Sequence, residues 1–237
     1  MRRILVTNDD GINADGIVRL ARAAKDFGEV WVIAPAEQCS AMSHRITLRS
    51  TIDVFPADFP VEGVHAFKTT GTPADCIRFG VQNFMDNHTD IVLSGINFGY
   101  NCGFDLQYSA TAGAALEASC MGIQAIALSE GIGSSHEVTD RYLKEVLEEL
   151  MEQPLPKNQV WNVNFPDCSL NELKGILRGR TVDENSFYDD TYSEEPLPGG
   201  GIRLTVNGRY HENANEATDF RAILDKYISI GILHNLS

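Results

Sequence analysis

Several features that define other protein classes are missing from this sequence of 237 residues. No apolar run reaches the roughly 20 residues that a membrane-spanning helix needs. Met1-Arg2-Arg3 leads into a predicted strand, not into the apolar core of a signal peptide. We therefore expect a cytoplasmic protein without a membrane partner. Basic residues are also scarce, 19 against 33 acidic ones for a formal charge of −14, which disfavours binding to duplex nucleic acid.

Cysteine is sparse and irregularly spaced. The number of cysteines is odd and no CxxC pair occurs, which indicates reduced thiols and argues against a disulfide framework or a zinc site. The five are Cys39, Cys76, Cys102, Cys120 and Cys168. Two phosphate-binding motifs are absent as well: no GxxxxGK(S/T) occurs, and no GxGxxG follows the first predicted strand.

What is present is a regular alternation of strand-like and helical segments. Short apolar runs such as "RILVT", "EVWVIAP", "DIVLSGIN", "QAIALS" and "VWNVNFP" are typical of strands buried on both faces. Helical spacing follows them in "GIVRLARAAKDFG", "SATAGAALEASCMG" and "VTDRYLKEVLEELME". This order predicts an α/β fold: a three-layer, Rossmann-like arrangement with a mostly parallel sheet between two helical layers.

The character of the sequence changes after about residue 177. The next segment, "RGRTVDENSFYDDTYSEEPLPGGG", is polar and acidic, and Asn207-Gly208 in "IRLTVNGRYH" is a strong hairpin-turn signal. The segment "ATDFRAILDKYISIGIL" predicts a closing helix and a short apolar end. We therefore predict a catalytic core over residues 1–177 and an extension over 178–237. A lone hairpin is marginally stable, so this arm is expected to pack on its own core or on a second subunit.

Polar side chains gather where the predicted strands end. The first strand is followed by two adjacent carboxylates, Asp9 and Asp10, and α/β sheets bind ligands beyond the carboxyl ends of their strands. Carboxylates combined with neutral serine and asparagine oxygens suit Mg²⁺ or Mn²⁺ better than zinc or copper. The strand exits also supply neutral groups and a histidine: Asn8, Ser40, Ser43, His44, Ser94, Asn97, Asn101, Ser109 and Thr111.

Each signal also has an ordinary structural explanation. Asp-Asp-Gly is frequent in turns. Ser109 and Thr111 precede a predicted helix, where they form either an N-cap or a phosphate cradle. His44 is either a hydrogen-bonding surface residue or a proton donor to a leaving alkoxide. Tyr100, Phe104 and Tyr108 lie in or beside the Gly-rich segment "SGINFGYNCGFD" and are candidates for contact with a nucleobase.

The combination of motifs is more specific than any one of them. "TNDDGINADGI", "APAEQCSAMSHRIT", "TGTPADC" and "DIVLSGINFGYNCGFDLQYSATAGAALEA", in this order, resemble the SurE family of survival-protein nucleotidases, and so does the closing "ATDFRAILDKYISI". The resemblance implies a metal-dependent phosphatase acting on nucleoside 5′- and 3′-monophosphates, with exopolyphosphatase as a side activity. It also implies an α/β/α core whose hairpin and carboxyl-terminal region exchange between the subunits of a homodimer, or of a tetramer.

The resemblance further assigns roles to individual positions. It implies one divalent cation per subunit, Mg²⁺ or Mn²⁺, held by Asp9, Asp10, Ser40 and Asn97. Of these, Asp9, Asp10 and Asn97 are the expected catalytic residues. The residues expected to bind substrate or phosphate are Asn8, Ser40, His44, Asn101, Ser109 and Thr111. The sequence departs from the family pattern at Ala41 and Ala110, where glycine is usual, and at Cys39, where a polar residue is common. These departures place the geometry of the loops in question.

Two questions stay open at the level of sequence. The first is whether water attacks phosphorus or an aspartate does so to form an aspartyl phosphate; the absence of a DxD pair favours water. The second is whether the protein turns substrate over. The alternatives are a regulatory, receiver-like module that accepts a phosphoryl group, and a weakened relative that binds nucleotides with little turnover.

Overall fold

The computed structural model describes residues 1–133 and 135–235. Its strands are β1 (Arg2–Thr7), β2 (Gly28–Pro35), β3 (Val54–Pro56), β4 (His65–Thr69), β5 (Ile91–Phe98), β6 (Gln124–Glu130), β7 (Gln159–Phe165), β8 (Gly175–Arg180), β9 (Tyr188–Leu197), β10 (Gly201–Tyr210) and β11 (Tyr227–His234). Its α-helices are α1 (Asp15–Ala24), α2 (Pro73–Phe79), α3 (Ala110–Cys120), α4 (Glu137–Met151) and α5 (Asp219–Leu224). A π-helical turn (Gly80–Phe84) follows α2, and a 3₁₀ helix (Gly103–Tyr108) precedes α3.

Nine strands form one mixed but mostly parallel sheet in the order β3-β4-β2-β1-β5-β6-β7-β11-β8. Only the pairs β3–β4 and β7–β11 are antiparallel in it. Helices α1 and α4 pack on one face and α2 and α3 on the other. The predicted α/β fold with helices on both faces of a mostly parallel sheet is confirmed.

The central strand shows why these runs are apolar throughout. Ile4 and Val6 of β1 lie in the core beneath α1 and α4, whereas Leu5 lies in the core beneath α2 and α3. Successive strand side chains point to opposite faces, so a strand between two helical layers must be apolar at every position. No helix within residues 1–133 and 135–235 combines the length and hydropathy needed to cross a membrane.

The small residues of α3 allow a loop to cross it closely. Ala112, Ala114, Ala115 and Ala118 are buried against the sheet and α2. A Cβ atom added at Gly113 would lie 2.7 Å from the carbonyl oxygen of Ser43. The loop that contains Ser40 and His44, two of the predicted substrate-binding residues, therefore rests directly on this helix.

The predicted hairpin turn at Asn207-Gly208 is wrong. Both residues lie within β10, paired with Thr191 and Asp190 of β9. The turn is instead at residues 198–200, where Gly199 and Gly200 both adopt φ +87°. This conformation suits glycine, so the "PGGG" segment ends the strand and the Asn-Gly pair continues it.

The closing segment contains the predicted helix, and its apolar end is a strand. Helix α5 ends at Leu224, Lys226 adopts φ 65°, and β11 then enters the main sheet between β7 and β8. Ile228 and Ile230 are fully buried there. The predicted division between residues 177 and 178 accordingly falls within β8, and β11 belongs to the core sheet although it lies in the predicted extension.

A buried aspartate in α5 joins the segment between β8 and β9 to the loop after β5. The Asp219 carboxylate accepts backbone N–H bonds from Gly103, Asp183 and Phe220 at 2.7–3.2 Å. Burial raises its pKa to about 6, although these hydrogen bonds favour the charged form. The carboxyl-terminal helix therefore helps to position the loop that leads to α3.

Helix α1 approaches the end of β5 so closely that only glycine fits at residue 16. A Cβ atom there would lie 2.0 Å from the carbonyl oxygen of Ile96. We expect Gly16→Ala to lower the free energy of unfolding by about 1–3 kcal/mol or more, because backbone must move to relieve the clash. Urea denaturation measures this. The control Gly201→Ala, where the nearest atom lies at 3.6 Å, should match the wild type; equal stability of both variants would contradict the packing.

Candidate active site

The candidate site lies at the carboxyl edge of the central strands. In the parallel pair β1–β5, Thr7 is the partner of Ser94, and in the pair β5–β6, Asn97 is the partner of Ser129. The segments that follow β1 and β5 therefore emerge side by side. This is the edge at which α/β sheets bind ligands.

Asp9 is buried and bonded to the first turn of α3. Only 4% of its surface is exposed, and its Oδ1 accepts a 2.5 Å hydrogen bond from the Thr111 hydroxyl. Its carbonyl oxygen accepts the N–H of Cys39 at 2.7 Å. Burial, with a smaller contribution from the charge of Asp10, raises the pKa of Asp9 to about 7 against the opposing effect of the Thr111 bond.

Asp10 connects the first strand to the other two loops. Its Oδ2 accepts the backbone N–H of Phe98 at 3.0 Å, one residue after Asn97. Burial raises the pKa of this carboxyl above its usual value, against the opposing effects of the Phe98 N–H bond and of the nearby Gln38 side chain. Asp10 therefore holds the exit of β5 and the loop after β2 close to Asp9.

Gln38 is a positioning residue that the sequence analysis missed. Besides contacting Asp10, its Nε2 donates to the Ser40 Oγ at 3.0 Å. It thus bridges two of the predicted cation ligands. Ser40 itself is exposed, so its hydroxyl is accessible to a ligand. No sequence signal distinguished Gln38, since a glutamine in a polar loop has no specific pattern.

Asn97 and Asn8 complete the group at this edge. The Asn97 Nδ2 donates to the Gly99 carbonyl at 2.8 Å, and the Asn8 Nδ2 donates to the Gly11 carbonyl at 2.9 Å. The Asn8 Oδ1 is buried and receives no hydrogen bond from the residues that the structure describes. A buried acceptor of this kind costs free energy unless a ligand satisfies it.

Ser109 and Thr111 take different roles at the start of α3. Ser109 is the N-cap, with its Oγ accepting the Ala112 N–H at 3.0 Å. Thr111 donates its hydroxyl to Asp9 and its carbonyl accepts the Ser94 hydroxyl. Ser109 thus forms the expected N-cap, while Thr111 contacts Asp9 directly.

Asn101 faces a polar network that the sequence analysis did not identify. Its Nδ2 donates to the Ser129 Oγ at 2.7 Å, and its carbonyl oxygen accepts the amide groups of Asn162 and Asn164. The signal was present in "VWNVNFP", where two asparagines alternate along β7. Since strand neighbours two apart share a face, these asparagines fix the loop after β5.

His44 is held away from the acidic pair. Its Nε2 lies 2.7 Å from the Glu117 Oε2, and Arg78 bonds to the other oxygen at 3.1 Å. The hydrogen bond from His44 lowers the pKa of Glu117. Glu117 lies six residues beyond Thr111 on α3, or roughly 9 Å along the axis. The contact favours an anchoring role for His44 in the loop that crosses α3.

The departures from the family pattern have different structural consequences. Ala41 adopts φ 57°, a conformation that costs a non-glycine residue roughly 1–2 kcal/mol. Ala110 is the first residue of α3 and is buried, so its methyl group is accommodated without a positive φ. Burial raises the pKa of the Cys39 thiol, which disfavours a thiolate at that position.

The acidic pair lacks a cationic partner from the protein. Among residues 1–133 and 135–235, no lysine, arginine or histidine forms an ion pair with Asp9 or Asp10. Arg19 pairs instead with Glu130 at 2.6 Å. Two crowded carboxylates, an unsatisfied amide oxygen at Asn8 and neutral Ser and Asn oxygens therefore fit a hard divalent cation.

Two of the four candidate cation ligands, Asp9 and Asp10, are carboxylates. The described residues contain no group of three or more His, Cys, Asp and Glu side chains arranged to hold a metal ion. Any cation at this edge would accordingly depend on two carboxylates and neutral oxygens, with open positions left for water or phosphate. Mg²⁺ and Mn²⁺ tolerate such a set, whereas zinc and copper prefer nitrogen or sulfur ligands.

The buried carboxyl of Asp9 should destabilise the protein in EDTA at neutral pH. Because its folded pKa of about 7 exceeds the ordinary 3.8, the free energy of unfolding is highest below pH 4 and falls as pH rises through 7. We expect Asp9→Asn to raise the free energy of unfolding by on the order of 3 kcal/mol at pH 8 and to leave it unchanged at pH 4. Urea denaturation at both pH values measures the difference, with exposed Asp58→Asn as control.

Comparisons with known proteins agree with this architecture. The SurE family model, described as Survival protein SurE, matches residues 4–186. The chain is 36% identical over 237 residues to the 5′-nucleotidase SurE of Caldanaerobacter subterraneus subsp. tengcongensis, covering 98% of this chain and 91% of that one. It is 38% identical over 235 residues to the 5′-nucleotidase SurE of Pelobacter propionicus, covering 98% and 92%.

A solved structure gives the same result in three dimensions. The crystal structure of the SurE protein from Aquifex aeolicus matches with a TM-score of 0.83 at 30% sequence identity, covering 99% of this chain and 94% of that chain. The agreement thus extends over the sheet, both helical layers and the arm. The chain belongs to the SurE family.

Proposed function

We propose that this protein is a metal-dependent phosphatase that hydrolyses nucleoside 5′- and 3′-monophosphates to nucleoside and phosphate. Two relatives of similar length are named 5′-nucleotidases. The observation that carries the proposal is the buried Asp9 carboxylate, which is bonded to Thr111, adjacent to Asp10 and without a cationic partner in the described part of the chain. Without a cation this arrangement lowers the free energy of unfolding. Such a cost is tolerated where the groups serve chemistry.

Asp9, Asp10, Ser40 and Asn97 are the residues that would hold the cation, one per subunit, as Mg²⁺ or Mn²⁺. Asp10 and Gln38 connect the segments that carry these four side chains. When bound, such a cation offsets negative charge on the phosphoryl group in the transition state. The protein supplies the fixed oxygen donors and the burial that strengthens their electrostatic effect.

The phosphate group is proposed to bind at the start of α3. Helix N-termini present N–H groups and the positive end of the helix dipole to anions. Ser109 satisfies the N–H of Ala112, and the N–H groups of Ala110 and Thr111 precede it. Thr111 also links this turn to Asp9. The helix terminus and the acidic pair therefore flank one space, in which Asn8 and Asn101 border the substrate.

Water is the proposed nucleophile. It attacks phosphorus while one carboxylate of the Asp9–Asp10 pair accepts its proton, and the bond between phosphorus and the ester oxygen breaks. The nucleoside leaves as an alcohol after taking up a proton. In the covalent alternative, an aspartate attacks phosphorus and water later hydrolyses the aspartyl phosphate. Isolation of a phosphoenzyme from radiolabelled substrate would support the covalent alternative over direct attack.

Ala41 favours a second candidate function, in which the protein binds nucleotides with little turnover. Its left-handed conformation, φ 57°, lies one residue after Ser40 in the loop that contributes to the site. Strain of this kind persists only where the surrounding structure holds it, and a loop that relaxes at Ala41 would move Ser40 out of its place in the proposed site. Metal-dependent binding of a nucleoside monophosphate without release of phosphate would favour this function over hydrolysis.

Loss of the Asp10 charge should remove cation and activity together. With Mn²⁺ or Mg²⁺, the wild type should release phosphate from 5′- and 3′-monophosphates, and EDTA should abolish release. Asp10→Asn should reduce kcat/KM at least about a thousandfold, roughly 4 kcal/mol of transition-state stabilisation, and weaken Mn²⁺ binding in equilibrium dialysis. Release of phosphate from inorganic polyphosphate in the same assay tests the exopolyphosphatase side activity.

The exposed variant Asp58→Asn, on the surface before β4, is the matched control and should behave as the wild type. Circular dichroism should show the same fold for both variants. Full activity of the wild type in EDTA, or of Asp10→Asn with metal, is the outcome that contradicts the metal role.

We also propose that the β9–β10 arm joins two copies of the chain in a homodimer. One face of the arm is apolar: Ile202, Leu204 and Val206 are 56–60% exposed, and Tyr192 lies directly opposite Val206. Arg203 and Thr205 point to the other face, because strand side chains alternate. An exposed apolar stripe on a two-stranded arm is expected to be covered by a partner.

A charge on the apolar face should break this dimer. Leu204→Asp should raise the dimer dissociation constant at least about a hundredfold, or about 2.8 kcal/mol, since an unpaired carboxylate would be buried in the interface. Sedimentation equilibrium measures the mass of each variant. Thr205→Asp, on the opposite face of the same strand, should remain a dimer. If both variants keep the wild-type mass, the arm does not form the interface.

A further inference from the structure

Phe98 is an exposed aromatic residue attached directly to the acidic pair. Its side chain is 55% exposed although β5 is otherwise buried through Ile96. Its backbone N–H donates to the Asp10 Oδ2 at 3.0 Å, and the preceding residue is Asn97. A single exposed apolar residue is ordinary on a protein surface. Phe98 is distinguished by a backbone fixed to the carboxylate proposed for the reaction.

The ring of Phe98 forms part of a cavity that adjoins this carboxylate. The cavity has a volume of about 270 Å³ and is lined by Asp10, Ala14, Asp15, Gly16, Ile96, Phe98, Glu130 and His136. Phe98 is the cross-strand partner of Glu130, and Arg19 bonds to both oxygens of Glu130 at 2.6 and 3.3 Å. The lining therefore combines the Phe98 side chain and apolar residues with the polar groups of Asp10, Asp15, Glu130 and His136.

A nucleoside monophosphate extends well beyond its phosphate group. With phosphate at the start of α3, the base must lie outside the cluster of oxygen donors, on a surface that tolerates a flat aromatic group. Stacking on an aromatic side chain is the usual interaction for such a base, because every base has a π-face. The cavity beside Asp10 offers this surface within one residue of Asn97.

We propose that Phe98 is the stacking platform for the nucleobase and sets the preference for nucleotides over other phosphate monoesters. This inference rests on the proposed function and names the residue that recognises the base. Purines should benefit more than pyrimidines, because a larger ring system covers more of the Phe98 face. The ring acts on binding, so it is a specificity residue and takes no part in bond breaking.

The three aromatic residues suggested by the sequence have other contacts. The Tyr100 hydroxyl accepts the Asp167 N–H at 2.7 Å, and its ring packs edge-on against Phe187. Phe104 and Tyr108 pack against one another with ring centroids 6.2 Å apart. None of the three lines the cavity beside Asp10. Phe98, which the sequence analysis did not select, occupies that place.

The test compares substrates with and without a base. With Mn²⁺, Phe98→Ala should raise KM for adenosine 5′-monophosphate about tenfold, equivalent to about 1.4 kcal/mol, with kcat within twofold of the wild type. For ribose 5-phosphate, which has no base, kcat/KM should stay unchanged. Phe98→Trp should restore the wild-type KM. Phe55→Ala, which removes a ring of 54% exposure on β3, is the matched control.

A binding measurement separates this inference from the proposed function. Equilibrium dialysis of radiolabelled adenosine should show about tenfold weaker binding to Phe98→Ala than to the wild type, whether or not the protein hydrolyses phosphate esters. If the wild type releases no phosphate but this difference appears, hydrolysis fails and the stacking role stands. Equal adenosine binding by both proteins overturns the role of Phe98.

Two further outcomes also overturn it. The same loss on ribose 5-phosphate as on the nucleotide would mean that the ring supports the geometry of Asp10 and Asn97 and does not contact a base. A change in molecular mass of Phe98→Ala in sedimentation equilibrium would mean that the ring belongs to a subunit interface.

Discussion

The hydrogen bond from Thr111 to the buried carboxylate of Asp9 is the interaction on which the site depends. It joins the end of β1 to the first turn of α3 at 2.5 Å and places a carboxylate where burial raises its pKa to about 7. A hydrophobic core gains nothing from such a group. The unfavourable burial agrees with the proposed ligand site, where a cation or a transferred proton would compensate for it.

The geometry of the parallel sheet brings the polar groups of the candidate site together. Because β1, β5 and β6 run in the same direction, their carboxyl ends meet at one edge, and the loops there carry Asp10, Asn97 and the network around Asn101. Small residues in α3 let the loop of Ser40 and His44 cross the helix at the same edge. Phe98, the residue proposed to stack on the nucleobase, projects from the last position of β5 beside these charged groups.

Much of the fold was predictable because its signals are local. Continuous apolar runs identified strands buried between helical layers, and the Asp-Asp pair at the first strand exit led to the candidate site. An error came where local signals compete. Asn207-Gly208 is a good turn pair but is paired within β10, since three consecutive glycines nearby end the strand first. The predicted closing helix and apolar end correspond to α5 and β11, and the buried isoleucines of β11 place that end in the sheet.

The sequence by itself determined the fold class, the acidic pair and the family pattern, because these depend on residue types at short spacing. Tertiary structure alone decided which side chains meet. It paired His44 with Glu117, brought Gln38 between Asp10 and Ser40, and left the Phe98 ring exposed beside the site. Such contacts join residues far apart in the chain, and they are fixed only when the sheet and its two helical layers have packed.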